Sequence, residues 1–343
     1  MNMPRILPFL GLLFANFFLT LSLQISAFAQ GSLTPLGAPA PTMKSLDQIE
    51  PRVPIESLPA GGSARHQITQ PGSYYLSSNL VAAAGQNGIS VAINDVTIDL
   101  KGFAMFGVTN RSAILASSAA DYGLRVFNGR LLHWSSGVRA DSVSNVVIED
   151  LNIQCAPGGS FRYGINLGLG SVVRRCQVAG ADGNTSFGIN VSSDSVVEAS
   201  TVHTSKRGIN VDDGCRMEGC AVSDCGEQGI FAQDGGVFRN NIVKRCDQGI
   251  RVRSRSVVAD NLVQSTAGSG FYAAGSYNRF ERNASHFNVF GFQTVFSSTN
   301  FVVQNIAHGN TNQNYNFLGS VVAGLTVTTI GTVTNHPWAN FSF

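Results

Sequence analysis

Between residues 164 and 291 a glycine followed by an apolar residue recurs at Gly164, Gly188, Gly208, Gly229, Gly249, Gly270 and Gly291. The intervals are 24, 20, 21, 20, 21 and 21 residues. In two coils the word is identical: GINV at 188–191 and again at 208–211. A second word follows each glycine: SVVRRCQV, SVVEASTV, CRMEGCAV, GVFRNNIV, SVVADNLV, NRFERNAS and NFVVQNIA. Looser copies begin earlier, at Gly88, Gly123 and Gly137. Each word is short, rich in β-branched residues and bounded by Gly, Ser, Asn or Asp, which is how a strand reads. Helical periodicity is absent over any longer window, which argues against the leucine-rich and ankyrin types. A fixed period built from strands alone predicts an all-β parallel β-helix. Each coil is too thin to bury its own apolar face, and stacking buries a continuous core.

The remaining segments follow from composition. In 343 residues only 13% are charged and 37 are glycine, so the chain is too apolar for disorder and suits strands joined by tight turns. A net charge of +2 gives no ground for a nucleic-acid partner. Residues 1–29 read as a signal peptide: Arg5, the apolar run ILPFLGLLFANFFLTLSL, and small residues Ala27 and Ala29 before the expected cut. The mature protein is thus expected to be secreted, periplasmic or on the cell surface. No later stretch is apolar for long enough to span a bilayer. Residues 30–62, with Pro35, Pro39, Pro41, Pro51, Pro54 and Pro59, read as a linker whose last part packs as a cap on the first coil. The β-helix is placed at 63–317. Residues 318–343 lose the repeat words and read as a C-terminal cap, with Trp338 and Phe341 plugging the last coil.

Stacking the repeats places equivalent residues in columns about 4.8 Å apart. The residue after each Gly-apolar pair faces outward if its neighbours face the core. That column reads Asn166, Asn190, Asn210, Phe231, Arg251, Tyr272 and Gln293. The next outward column reads Gly168, Ser192, Asp212, Gln233, Arg253, Ala274 and Val295. Amides satisfy sugar hydroxyls and aromatic rings cover apolar sugar faces, so Asn190, Asn210, Phe231 and Tyr272 are the candidate substrate-binding residues. Two arginines side by side suit a carboxylate or sulfate. The plain alternative is an ordinary polar sheet face.

ITQPGSYYLSSNL (68–80), GISVAINDVTIDLKGF (88–103) and NHPWANF (335–341) resemble the secreted bacterial right-handed β-helix repeat proteins of the pectate-lyase-like superfamily, over about residues 50–343. The resemblance implies a right-handed coil. It also implies an extracellular polysaccharide as partner, bound or processed by a lyase or a glycoside hydrolase, and a monomer. Asp212 with Asp213 matches the aspartate doublet of the polygalacturonases. The rest of that pattern, Asn-x-Asp, Gly-His-Gly and Arg-x-Lys, is missing. Pectate lyases use carboxylates on Ca2+ and an arginine base, and Arg251 or Arg253 near Asp212 imitates that arrangement. Asp212, Arg251 and Arg253 are therefore the candidate catalytic residues, with Ca2+ the cofactor if the chain is a lyase. Neither motif transfers residue by residue, so a non-catalytic surface scaffold stands as the alternative.

Three further patterns have a structural and a chemical reading. An inward column ends Asn241, Asn261, Asn283, Asn305 and reads as a buried amide ladder. Glu198 and Glu218 are expected on adjacent coils. They are a glycosidase pair or cation site on one reading, and a charge ladder neutralised by Arg174 and Arg239 on the other. His133-Trp134 is a stacking pair for sugar or, for the Trp, core. The six histidines are scattered and give no metal site. Of six cysteines, Cys225 and Cys246 should stack on adjacent coils, as a disulfide or as buried thiols.

Overall fold

The computed structural model describes residues 52–107, 110–117, 123–156, 162–180, 186–295, 299–329 and 334–343. The expected signal peptide and most of the proline-rich segment lie outside the described residues. From Arg52 onward the chain is a parallel β-solenoid of about 11 turns. Each turn contributes one five-residue strand to a sheet of twelve, as in Phe187–Val191, Arg207–Val211 and Gln248–Val252. Most turns from Val172 onward also contribute two three-residue strands, as in Val196–Glu198 and Thr201–His203, to a second sheet of 24, where earlier turns supply longer strands such as Leu124–Trp134. Consecutive coils pair in parallel and in register: Ile189 with Ile209, Val197 with Met217, Val202 with Val222.

The repeat words explain this geometry. Ile and Val of GINV point inward and meet Val197, Val202 and their equivalents from the second sheet; all are buried to 1% or less. Towards the C-terminal end the inward column turns aromatic. Phe271, Phe292 and Tyr315 stack at 4.7 and 5.3 Å between centroids, with Phe280 edge-on. The glycine of the word is required because its missing side chain would also face inward. A Cβ on Gly188 would lie 2.2 Å from Val202 Cγ1, and one on Gly229 2.4 Å from Val243 Cγ1. Between the two short strands the chain turns sharply through a left-handed residue, Arg175, Ala199, Asn240, Asp260 or Arg282, with φ between 48° and 55° or at 59°.

That bend starts the amide ladder. Asn241, Asn261 and Asn283 each donate Nδ2 to the Oδ1 of the next, at 2.9–3.0 Å, and the same Oδ1 accepts the backbone N–H one coil before it. The ladder runs on into the tail: Asn340 Oδ1 accepts from Asn305 N at 3.0 Å. A second ladder, Asn278 to Asn300, runs at another corner. The end is thus closed by Asn340 and the buried Ala339, and by Tyr315 Oη donating to the Asn305 and Phe341 carbonyls at 3.0 Å. Trp338 is not a plug. It is 48% exposed, and Phe341 is half-buried. At the other end Val53–Pro54 pairs with Tyr74–Tyr75, and Ile55 is fully buried. Coil register continues past residue 317, where Val321–Ala323 pairs with Asn300–Val302.

Two sequence alternatives resolve structurally. Trp134 is fully buried and donates Nε1 to the Met105 carbonyl at 2.9 Å, so it cannot stack on a sugar. All six cysteines are buried thiols outside any disulfide. Cys225 and Cys246 are in contact on adjacent coils, but as thiols: the hydrogen bond to Cys246, together with burial, pushes the Cys225 thiol up. Burial pushes Cys176 up to about 12 and Cys215 and Cys220 up to about 11, so these thiols are unreactive at neutral pH.

Inter-coil ion pairs run along the outer corners, including Asp150 with Arg175, Asp224 with Arg245 and Asp260 with Arg282, each at 2.7 Å. Glu149 is a buried member of this set. Burial alone would raise its pKa, but hydrogen bonds from Arg125 at 2.9 Å and Arg174 at 2.5 Å outweigh that and hold it low. The Arg245 guanidinium holds Asp224 down at about 2. A carboxylate with a depressed folded pKa stabilises above its unfolded pKa, about 4. That contribution is lost as pH falls through the folded value. Thermal stability should therefore be level from pH 7 to about 5 and fall steeply between about 4 and 2. Glu149→Gln should lower stability at pH 7 and flatten that fall, as a melting series across pH would read.

Candidate functional site

The outward face of the twelve-stranded sheet carries the predicted column in unbroken register. Asn166 pairs with Asn190, Asn190 with Asn210, Asn210 with Phe231, Phe231 with Arg251, Arg251 with Tyr272, and Tyr272 with Gln293. The strands hold these side chains at one spacing because the residues on either side are locked in the core. In the first half of the column the amides bond one another. Asn210 Nδ2 donates to Asn190 Oδ1 at 2.6 Å, and Asn190 Nδ2 donates to Asn166 Oδ1 at 2.7 Å. Asn190 is therefore largely committed to its neighbours, and Asn210 Oδ1, at the end of this short ladder, is the acceptor left facing Phe231.

The second half is a cation between two rings. The Arg251 guanidinium lies 5.5 Å from the Phe231 centroid and 5.2 Å from that of Tyr272. Such contacts hold a guanidinium in place without neutralising it. Many arginines of this chain face a carboxylate, as Arg175, Arg245 and Arg282 do. Arg251 and Arg253 have none among the described residues. Arg253 instead donates Nη1 to Gln233 Oε1 at 2.9 Å, one coil back.

Asp212 is in the second column with Arg253, but Gln233 stands between them, so the two are about 10 Å apart at strand spacing. No ion pair joins Asp212 to Arg251 or Arg253. Burial, and then the charge of Asp213, raise the Asp212 pKa. Asp213 serves the turn, its Oδ1 accepting the Asp234 amide at 2.9 Å. Between Asn166 and Val295 Asp212 is thus the one carboxylate of the two outward columns. The two-carboxylate arrangement of a glycosidase is not assembled in them. Calcium fares no better: it needs several oxygen ligands, and among the described residues no three His, Cys, Asp or Glu side chains converge. The residues of this face do not fit the calcium site of a lyase.

On the other sheet Glu198 and Glu218 are register partners, as expected. Each has a cation: Arg216 bonds Glu218 at 2.6 Å and Arg174 is 3.9 Å from Glu198. The partner of Glu218 is Arg216 on its own strand, not Arg239 from the next coil. Its hydrogen bond lowers the Glu218 pKa, the opposite of what a general acid needs.

Sequence reasoning passed over two features of the first face. Tyr163 and Phe187, each just before a marker glycine, stack at 5.5 Å with planes 3° apart, and Arg207 caps Phe187 at 5.3 Å. Aligning the residue before each glycine would have found them. The second is a pocket of about 250 Å³ between the earlier, looser coils, around Arg111, Ser112, Leu115 and Arg139. A second concavity, of similar volume but apolar, lies at the tail among Phe301, Val322 and Trp338.

The sequence matches the family described as "Right handed beta helix region" over residues 112–258 and again over 187–332. The chain belongs to that family. Its coil is thus right-handed, as the resemblance implied. Among solved structures it is similar to the tailspike protein of E. coli bacteriophage HK620. A mutant form in complex with a hexasaccharide matches with a TM-score of 0.57 at 10% identity, over 85% of this chain and 69% of that one. The form in complex with a pentasaccharide matches at 0.53 and 10%, over 85% and 70%. At this identity the likeness is one of fold. No curated protein matches the chain.

Proposed function

We propose that this right-handed β-helix is an extracellular polysaccharide-binding protein, acting as a monomer, whose ligand lies along the outward columns of the twelve-stranded sheet. The observation that carries this reading is Arg251. It is a cation clamped between Phe231 and Tyr272 with no carboxylate partner among the described residues, beside Asn210 and the Arg253–Gln233 pair. Rings, amides and an uncompensated guanidinium in one row match the CH faces, hydroxyls and acidic substituents of a glycan. The tailspikes of this fold, solved with penta- and hexasaccharides, lend support by analogy of fold. Binding is favoured over turnover because the columns hold no second carboxylate on the coils beside Asp212. The raised pKa of Asp212 is the one feature that favours a proton-transfer role, and so a lyase or hydrolase.

The test is a panel of acidic and neutral polysaccharides run against residues 30–343, with and without calcium. It reads retention in affinity gels, new reducing ends and unsaturated uronate absorbance. Arg251→Ala and Tyr272→Ala should each weaken retention about tenfold, the worth of one well-placed cation–π or charged contact. Product that appears with the native protein and vanishes in Asp212→Asn would make it an enzyme. Absence of retention by every glycan would overturn the reading and leave a surface scaffold.

A further inference from the structure

The outward column does not begin at Asn166. Register carries it back through Arg139, Leu115, Ser90 and Gln67, one residue per coil. Arg139 and Leu115 belong to this column and also line the pocket of about 250 Å³. The pocket walls are polar. Asn87, Ser112 and Ser136 are buried in the adjoining column, with Asn87 Oδ1 fixed by the Ser112 amide at 3.0 Å. Asn110, in left-handed conformation at φ 74°, donates its amide to Ser135 Oγ at 2.9 Å and so shapes the rim.

Charge decides what such a pocket takes. Arg111 donates Nε to the Gly85 carbonyl at 2.7 Å and has no carboxylate partner among the described residues. Arg139 uses Nε on Asp141 at 3.1 Å, so one of its edges is taken and its terminal nitrogens remain. Two guanidiniums line the pocket, Arg111 with no carboxylate among the described residues and Arg139 sharing Asp141, so its net charge is positive. The volume is below the roughly 300 Å³ at which pockets for drug-sized ligands begin. It suits a single sugar unit rather than a chain.

Resting on the reading of this face as a glycan-binding one, we propose that the pocket at Arg111 and Arg139 takes the anionic substituent, carboxylate or sulfate ester, of one sugar unit. The rest of the same chain runs along the amides to Arg251. Arg139 and Arg251 are five coils apart, about 24 Å at strand spacing. A polyanionic glycan long enough to reach both gains by the second attachment, because that attachment is intramolecular. Neutral glycans and short acidic ones gain nothing from it.

The experiment uses calorimetric titration of residues 30–343 with polygalacturonate, dextran sulfate and neutral dextran, together with a galacturonate trisaccharide too short to span the two sites. Comparison is made among the native chain, the Arg111→Ala/Arg139→Ala double variant, Arg139→Lys and Arg251→Ala. Both arginines are exposed, so unchanged melting is expected and is checked. The double variant should lose about tenfold or more in affinity for the long polyanion, the worth of one or two charged hydrogen bonds. Its affinity for the trisaccharide should change less. Arg139→Lys, which keeps the charge and loses the fork, should fall between. Whichever of the two polyanions shows the loss names the substituent. A double variant that binds both within twofold of the native chain, while Arg251→Ala does not, overturns the pocket and leaves the face reading standing. If no polymer binds the native chain, both fall together.

Discussion

Replacing Asn261 by alanine should destabilise the solenoid by about 3–5 kcal/mol, since several buried polar groups lose their partners at once. Asn261 Oδ1 accepts from the backbone and side-chain nitrogens of Asn241. Its Nδ2 donates to the Phe238 and Ala259 carbonyls and to Asn283 Oδ1. Alanine strands the Asn241 backbone amide and weakens the bonding of the Asn241 side chain and the Phe238 carbonyl, in a core that water does not reach, while Asn283 Oδ1 keeps the residue 261 backbone amide and the Ala259 carbonyl keeps that of Asn240. Because the ladder passes from coil to coil, the damage sits mid-rod, where each coil leans only on its neighbours. Asn210→Ala, in the outward ladder, should cost under about 1 kcal/mol because water replaces the lost bond. Denaturant midpoints of the two variants check the contrast. Equal shifts would mean that the inward ladder is not what holds the coils in register.

Gly249→Ala should cost about 3 kcal/mol, at the upper end for overpacking, although it adds a single methyl group. That methyl would lie 2.2 Å from the Gly270 carbonyl oxygen and 2.3 Å from Val263 Cγ1. The first is backbone of the next coil and the second is core from the opposite sheet, so neither yields cheaply. Gly226 is the control. It has no atom within 4 Å of the corresponding position, and Gly226→Ala should stay within about 0.5 kcal/mol. A mild effect at Gly249 would show that the sheets approach less closely than the register implies.

These two sites mark what the sequence discloses. The period, the inward Ile and Val columns and the Asn241–Asn305 ladder were all legible, because one residue per coil with identical surroundings writes its chemistry as a repeated letter. The outward column from Asn166 to Gln293 was legible for the same reason. Contacts that depend on where a long side chain turns were not. Sequence places Arg251 beside Phe231 and Tyr272 but does not say that both rings flank the guanidinium, or that Asn190 and Asn210 spend their amides on each other. Arg216 taking Glu218 in place of Arg239 is a contact along one strand, invisible to column stacking. The Arg111–Arg139 pocket was missed because the early coils vary in length and break the alignment of letters. Of the two tryptophans, Trp134 takes the core setting that its sequence allowed beside sugar stacking, and Trp338 does not take the plug setting expected of it. Trp134 fills the space beside Gly107, where a Cβ would lie 2.1 Å from its ring, and Asn340 does the closing expected of Trp338.

The most direct measurement is a crystal structure of residues 30–343 with the oligosaccharide that binds best in the panel. Sugar density along the twelve-stranded sheet, with a ring beside Phe231 or Tyr272 and an oxygen on Arg251, is the predicted result. Density confined to the face of the other sheet, or to the apolar cleft at Phe301 and Trp338, would contradict it.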